Sequence, residues 1–126
     1  MSELKVGQSA SVSRSFSAEE VKVFADLSLD HNPIHIDKAF AERSMFGQRI
    51  VHGMLVSSLF SGLLGEKLPG PGTIYLSQSS GFKKPVFIDQ EVTAEVEIVG
   101  IREDKPIITL KTTCFSADGE VLAAGE

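Results

Sequence analysis

This chain has one cysteine, Cys114, so no disulfide can close within it and its stability has to come from an apolar core. Basic charge is also scarce. Twelve Lys and Arg stand against 17 Asp and Glu, for a net charge of −5. That balance disfavours a nucleic-acid binder working through a basic patch, and it offers nothing to an anionic membrane. Long hydrophobic runs are missing. The longest mostly apolar stretch, Ile50 to Leu64, contains His52, Ser57, Ser58 and Ser61, and it falls short of the roughly 20 residues that span a bilayer. Met1-Ser2-Glu3-Leu4-Lys5 lacks the apolar centre of a signal peptide, so the expectation is a cytoplasmic protein. No Gly-x-Ser-x-Gly elbow is present and Cys114 has no evident activator, which disfavours covalent catalysis. Repeats and low-complexity segments are absent.

What is present is an ordinary globular composition. With 126 residues, 42% hydrophobic and 23% charged, the expectation is one domain over 1–126 with a full core. Residues 10–16 alternate and predict a short strand. Ser17-Ala18-Glu19-Glu20 fits a capping box, opening a helix with Val21, Phe24 and Leu27/Ser28 on one face and ending near Leu29. Asp37 is placed to cap a short helix through Arg43, and Ser44 to Arg49 reads as loop. Ile50 to Leu64 is apolar nearly all round, the signature of a buried helix, with Gly65 placed to end it. Beyond the loop Leu68–Gly72 the pattern turns to strands. Thr73 to Lys83 is β-rich, Val92 to Gly100 alternates with period two, and Ile107 to Phe115 is another strand. Asp118-Gly119 reads as a hairpin turn into a last strand over Val121–Ala124. Early helices followed by antiparallel strands make an α+β chain with one greasy helix for the sheet to wrap.

Chemistry concentrates in Asp30-His31-Asn32-Pro33-Ile34-His35. Carboxylate and imidazole are the usual side chains for moving protons near neutral pH. Pro33 disfavours a helix through the segment and predicts a rigid turn presenting polar groups. The alternative is a plain Asx turn that caps a helix. His31 and His35, four apart, would share a helix face as metal ligands, but Pro33 and the lack of companion ligands argue against a metal site. Asp30 and His35 could instead share a water molecule, one taking a proton and the other delivering one. Ile50-Val51-His52-Gly53-Met54 opens the apolar helix. There Gly53 would let a carbonyl oxygen reach free backbone N–H groups, or would merely let a neighbouring strand pack closely. His52 reads as a packed or hydrogen-bonded neighbour in preference to a proton carrier.

These segments resemble the MaoC-like hydratases, and more narrowly the short (R)-specific enoyl-CoA hydratases. The resemblance runs through Phe24–Ser28, Asp30–His35, Ile50–Leu55, Leu59–Gly65, Ile74–Leu76, Phe82–Val86 and Asp89–Thr93, nearly the whole chain. It implies a hot-dog fold, an antiparallel sheet wrapped around a long central helix, in a homodimer with sites near the subunit interface. It further implies a hydro-lyase that turns a trans-2-enoyl-CoA into an (R)-3-hydroxyacyl-CoA, for polyester (polyhydroxyalkanoate) supply or fatty-acid breakdown. Asp30 and His35 match its catalytic pair, Asp30 taken as base and His35 as proton donor, with Gly53 as the thioester-oxygen donor. Asn32 would orient the turn at the substrate. Ser61 and Leu64 match positions shaping an acyl pocket, which bulky Leu64 would limit to short chains. No metal or separate cofactor is implied, since CoA arrives with the substrate, and neither nucleic acid nor membrane is a partner. Lys83 and Lys84 are candidates for the CoA phosphates. Family members often continue past the position of Glu126, so the last wall of the pocket is expected to differ here. Alternatives of another class are a dehydratase on acyl-carrier-protein substrates, an acyl-CoA thioesterase, and a silent acyl-CoA-binding module.

Overall fold

The computed structural model describes residues 3–126, so Met1 and Ser2 of the N-terminal reading lie outside it. Its elements run β1 (Ser9–Arg14), α1 (Ala18–Ser28), α2 (Pro33–Ile36), α3 (Lys38–Glu42), α4 (Gly53–Glu66), β2 (Ser80–Phe82), β3 (Val92–Ile101), β4 (Ile108–Ser116) and β5 (Val121–Gly125). The five strands form one antiparallel sheet in the order β1-β3-β4-β5-β2. The sheet wraps α4, and the chain has the hot-dog fold.

Local chemistry explains most of these elements. The Ser17 side chain accepts the Glu20 N–H at 3.1 Å and the Glu20 carboxylate accepts the Ser17 N–H at 2.9 Å, so the expected capping box forms. Val21 and Ala25 are the buried positions of α1 and Phe24 is half-buried, whereas Leu27 is 78% exposed, so the stripe read in the sequence holds at Val21 and Phe24 and fails at Leu27/Ser28. Asp37 caps α3 by accepting the Phe40 N–H at 3.0 Å. In β3, Val92, Ala94, Val96 and Ile98 are all fully buried and alternate with partly exposed residues, the period-two pattern of a half-buried strand. The β4–β5 turn carries Gly119 at φ 86°, a left-handed conformation that glycine adopts without cost.

Three elements, α2, α4 and β2, differ from the sequence reading. Pro33 does not break helix. It occupies the first position of α2, where its missing N–H costs nothing. α4 begins at Gly53 and not at Ile50, because Ile50 bridges Phe87 and the Val51 N–H bonds to the Val86 carbonyl at 2.7 Å. Gly65 lies inside that helix, which runs on to Glu66. Of Thr73 to Lys83, only Ser80–Phe82 pairs as a strand, against β5.

The core is the contact between α4 and the concave face of the sheet. Val56, Phe60, Leu63 and Leu64 from the helix join Val92, Ala94, Val96, Ile98, Cys114, Leu122 and Ala123 in one buried cluster. Among the described residues no helix is long and apolar enough to cross a membrane. Phe60 is fully buried at the centre of α4. Truncating it to alanine should cost about 3–5 kcal/mol, read as a lower midpoint in urea unfolding with an unchanged slope.

Candidate active site

The site is assembled from three segments. α1 ends at Leu29, held in a left-handed conformation at φ 66°, and this sharp exit swings the chain into Asp30. The Ser28 hydroxyl donates to the Phe24 carbonyl at 2.7 Å and accepts the Asp30 N–H at 3.2 Å. The Asp30 carboxylate accepts the Asn32 N–H, and the Asn32 side chain accepts the Ile34 N–H, both at 3.2 Å. The Asx turn that the sequence offered as the alternative reading is therefore present, and the same turn carries Asp30 to the cavity.

That cavity is about 490 Å³ in volume. Asp30, His35, His52 and Gly53 line it together with Phe82, Lys83 and Lys84, and Val56, Val86 and Leu122 add apolar surface. One ligand-type atom from each of Asp30, His35 and His52 lies within 4.8 Å of the others. His35 is 9% exposed, and its Nδ1–H donates to the Ile50 carbonyl at 2.8 Å. In a neutral ring that bond leaves Nε2 as an acceptor. Burial holds the His35 pKa below the ordinary imidazole value. The Ile50 carbonyl and the Asp30 charge oppose the shift, and charge on His52 adds to it. His52 lies flat against His35, with ring centroids 3.8 Å apart, and its Nε2–H donates to the Asp30 carbonyl at 3.1 Å.

Gly53 is the first residue of α4, whose N-cap, His52, makes no side-chain cap bond. Among the described residues no acceptor takes the Gly53 N–H, as expected at the first turn of a helix. A β-carbon at this position would lie 2.9 Å from the Phe82 ring. The close packing read as one alternative is present, and the Gly53 N–H stands unbonded at the positive end of a helix.

The remaining sequence candidates fall elsewhere. Asn32 is exposed, caps α2 and does not line the cavity. Ser61 is exposed, and Leu64, 7% exposed, belongs to the core. Neither borders this cavity, because they follow Gly53 by two turns or more along a helix that points away from it. His31 donates its Nε2–H to the Asp26 carboxylate at 2.9 Å and is exposed outside the cavity, so it does not join His35. Asp30, His35 and His52 carry metal-ligating atoms, yet His35 Nδ1 and His52 Nε2 already serve backbone carbonyls. The other nitrogen of His52, Nδ1, is buried. Lys84 pairs with Glu120 at 2.6 Å, while Lys83 stands exposed at the rim. Sequence reasoning missed Phe82 and Phe46 as lining residues. Strand alternation can tell which face a residue is on but not which cavity it meets.

The family model described as "MaoC like domain" matches residues 2–118. The chain is 58% identical over 123 residues to the (R)-specific enoyl-CoA hydratase of Aeromonas caviae, covering 98% of this chain and 92% of that protein. It is 44% identical to the (R)-specific enoyl-CoA hydratase of Rhodospirillum rubrum, covering 98% and 85%. The solved structure of the (R)-hydratase from A. caviae involved in PHA biosynthesis superposes with a TM-score of 0.96 at 56% identity, covering 99% of this chain and 95% of that one.

The depressed His35 pKa has a consequence for stability. Below about pH 6.5 the unfolded chain takes up a proton at this position that the folded chain resists, so the unfolded state binds more protons. The His35 contribution is present above pH 6.5 and is lost as the pH falls toward the folded-state value. Unfolding free energy followed from pH 8 to pH 5 should therefore fall less steeply in His35→Gln than in the wild type.

Proposed function

The chain belongs to the MaoC-like domain family, and we propose that it is an (R)-specific enoyl-CoA hydratase. It adds water across a trans-2-enoyl-CoA to give an (R)-3-hydroxyacyl-CoA. The observation that carries this reading is one cavity holding a carboxylate, a neutral imidazole with a free acceptor nitrogen, and an unpartnered helix N-terminal amide.

The proposed mechanism follows from those groups. The thioester oxygen sits at the Gly53 N–H, which stabilises the enolate charge that grows as water attacks C3. Asp30 holds the water at the cavity mouth. His35 Nε2 takes a proton from it as the hydroxyl bonds to C3, and that proton is returned to C2. The sequence reading had Asp30 as base and His35 as donor. The bond from His35 Nδ1–H to Ile50 favours His35 as the first acceptor, because a neutral ring with Nδ1 protonated has nothing to donate at Nε2. Asp30 then steadies the imidazolium by its charge. CoA enters as part of the substrate, and the chemistry asks for no other cofactor.

Exposed Lys83 at the rim is suited to meet a CoA phosphate, with Lys84 already held by Glu120. The acyl chain runs along Val56, Val86 and Leu122, toward the Phe82 ring. We take the working form to be a homodimer in the cytoplasm. Met54 and Phe82 are exposed at the cavity, and Ile74 and Leu76 are exposed just before β2, an apolar surface that a second copy would cover. The product suits either polyester synthesis or fatty-acid turnover.

Crotonyl-CoA hydration, followed as loss of enoyl absorbance with chiral analysis of the product, tests the reading. The expected product is the (R)-alcohol. Release of free CoA thiol, or activity on acyl-carrier-protein thioesters but not CoA esters, would replace it with a thioesterase or a carrier-protein dehydratase. Asp30→Asn and His35→Gln should each fold and lose about 10²–10⁴-fold in rate. Chain length is a separate matter. Phe82→Ala removes the ring over Gly53 and should raise kcat/KM for an eight-carbon enoyl-CoA relative to crotonyl-CoA. An unchanged ratio would show that Phe82 is not a wall of the acyl site.

A further inference from the structure

His52 is 2% exposed and makes three contacts inside the site. Its ring stacks on His35, it meets the Phe24 ring edge-on at 4.8 Å between centroids, and its Nε2–H donates to the Asp30 carbonyl. We infer that His52 is a positioning residue: its Nε2–H pins the main chain of Asp30, and its ring fixes the plane and shields the face of the His35 imidazole. The inference rests on Asp30 and His35 being the reacting pair.

The bond to the Asp30 carbonyl sets which nitrogen of His52 donates. A carbonyl only accepts, so Nε2 carries a hydrogen. Nδ1 is buried and has no partner among the described residues. An apolar side chain of similar size would fill the same space without an orphaned nitrogen, so packing alone does not account for a histidine here. What the imidazole adds over a hydrocarbon is the bond to Asp30.

The two contacts separate two effects. The bond sets where the Asp30 carboxylate stands, and displacement of a reacting group by about 1 Å costs on the order of 10²-fold in rate. The stack keeps water off one face of His35 and so sustains the burial that lowers its affinity for a proton. The other titratable groups facing His35 are Asp30 on the turn before α2 and, lining the same cavity, Lys83 and Lys84 beyond β2. His31 is engaged with Asp26 outside the cavity.

Side-chain ¹H–¹⁵N NMR of the histidines in the full chain, read from pH 5 to 8 alongside crotonyl-CoA kinetics, tests this. In the wild type, His52 should show a hydrogen-bonded Nε2–H and His35 should carry its hydrogen on Nδ1 when neutral. His52→Phe keeps the stack and loses the bond. It should lower kcat by about tenfold or more with KM little changed, while the His35 titration stays put. His52→Gln keeps a donor for Asp30 and loses the ring. It should retain more of kcat, while His35 titrates at higher pH, nearer the ordinary value. A wild-type His52 that carries no hydrogen on Nε2 overturns the inference without any variant. So do folded variants that keep both kcat and the His35 titration of the wild type. Full hydration activity in His35→Gln would instead remove the catalytic reading and leave the tautomer result standing.

Discussion

Residues 34 and 35 are tied to residue 50 by two hydrogen bonds, and the geometry of the site depends on this tie. The Ile50 N–H donates to the Ile34 carbonyl at 3.2 Å, and the Ile50 carbonyl accepts from His35 Nδ1 at 2.8 Å. One residue thus anchors the turn that carries Asp30 and His35 to the segment that leads into α4. Ile50 is itself held to the sheet side through its bridge to Phe87, and Val51 through its bond to Val86. Each such bond is worth only about 0.5–1.5 kcal/mol net, but a buried partner left unpaired costs more than the bond contributes. The tie therefore specifies geometry more than it adds stability. It sets the His35 tautomer, and with it which nitrogen faces the cavity.

The same economy appears at the start of α4. The body of the helix is greasy because the sheet encloses it, and that packing anchors the helix from Val56 onward. A donor that must not move when charge develops is best placed on the most deeply held element. Gly53 sits where the core ends and the cavity begins. The Phe82 ring closes over its α-carbon, so any side chain at position 53 would displace either the ring or the helix. Fold stability and the placement of the amide rest on the same contacts.

Elements specified by neighbours in sequence were legible before the structure. The Ser17–Glu20 capping box, the Asp37 cap, the alternation of β3 and the Asp118-Gly119 turn all act within a few residues, and each stands where it was read. Errors arose where tertiary contacts decide. Ile50 to His52 are as apolar as the helix they precede, yet pairing with Phe87 and Val86 takes them out of it. Thr73 to Ser79 has strand-like composition but no strand partner among the described residues. Asp30, His35 and Gly53 were found through their residue types and the family resemblance, and the fold brings them to one cavity. Ser61 and Leu64 were assigned to an acyl pocket by resemblance alone, and in this chain one faces out and the other faces the core.

His52 illustrates the limit of local reading most sharply. It was taken as a packed or hydrogen-bonded neighbour, and it is both. No pattern in Ile50–Met54 could say that its partners would be a ring and a carbonyl from the Asp30–His35 turn. Both rings line the cavity, yet they are wired differently. His52 spends Nε2 on the Asp30 carbonyl and buries Nδ1 without a partner, whereas His35 spends Nδ1 on the Ile50 carbonyl and keeps Nε2 unbonded. The partner given to each ring nitrogen, more than residue type, divides two identical side chains.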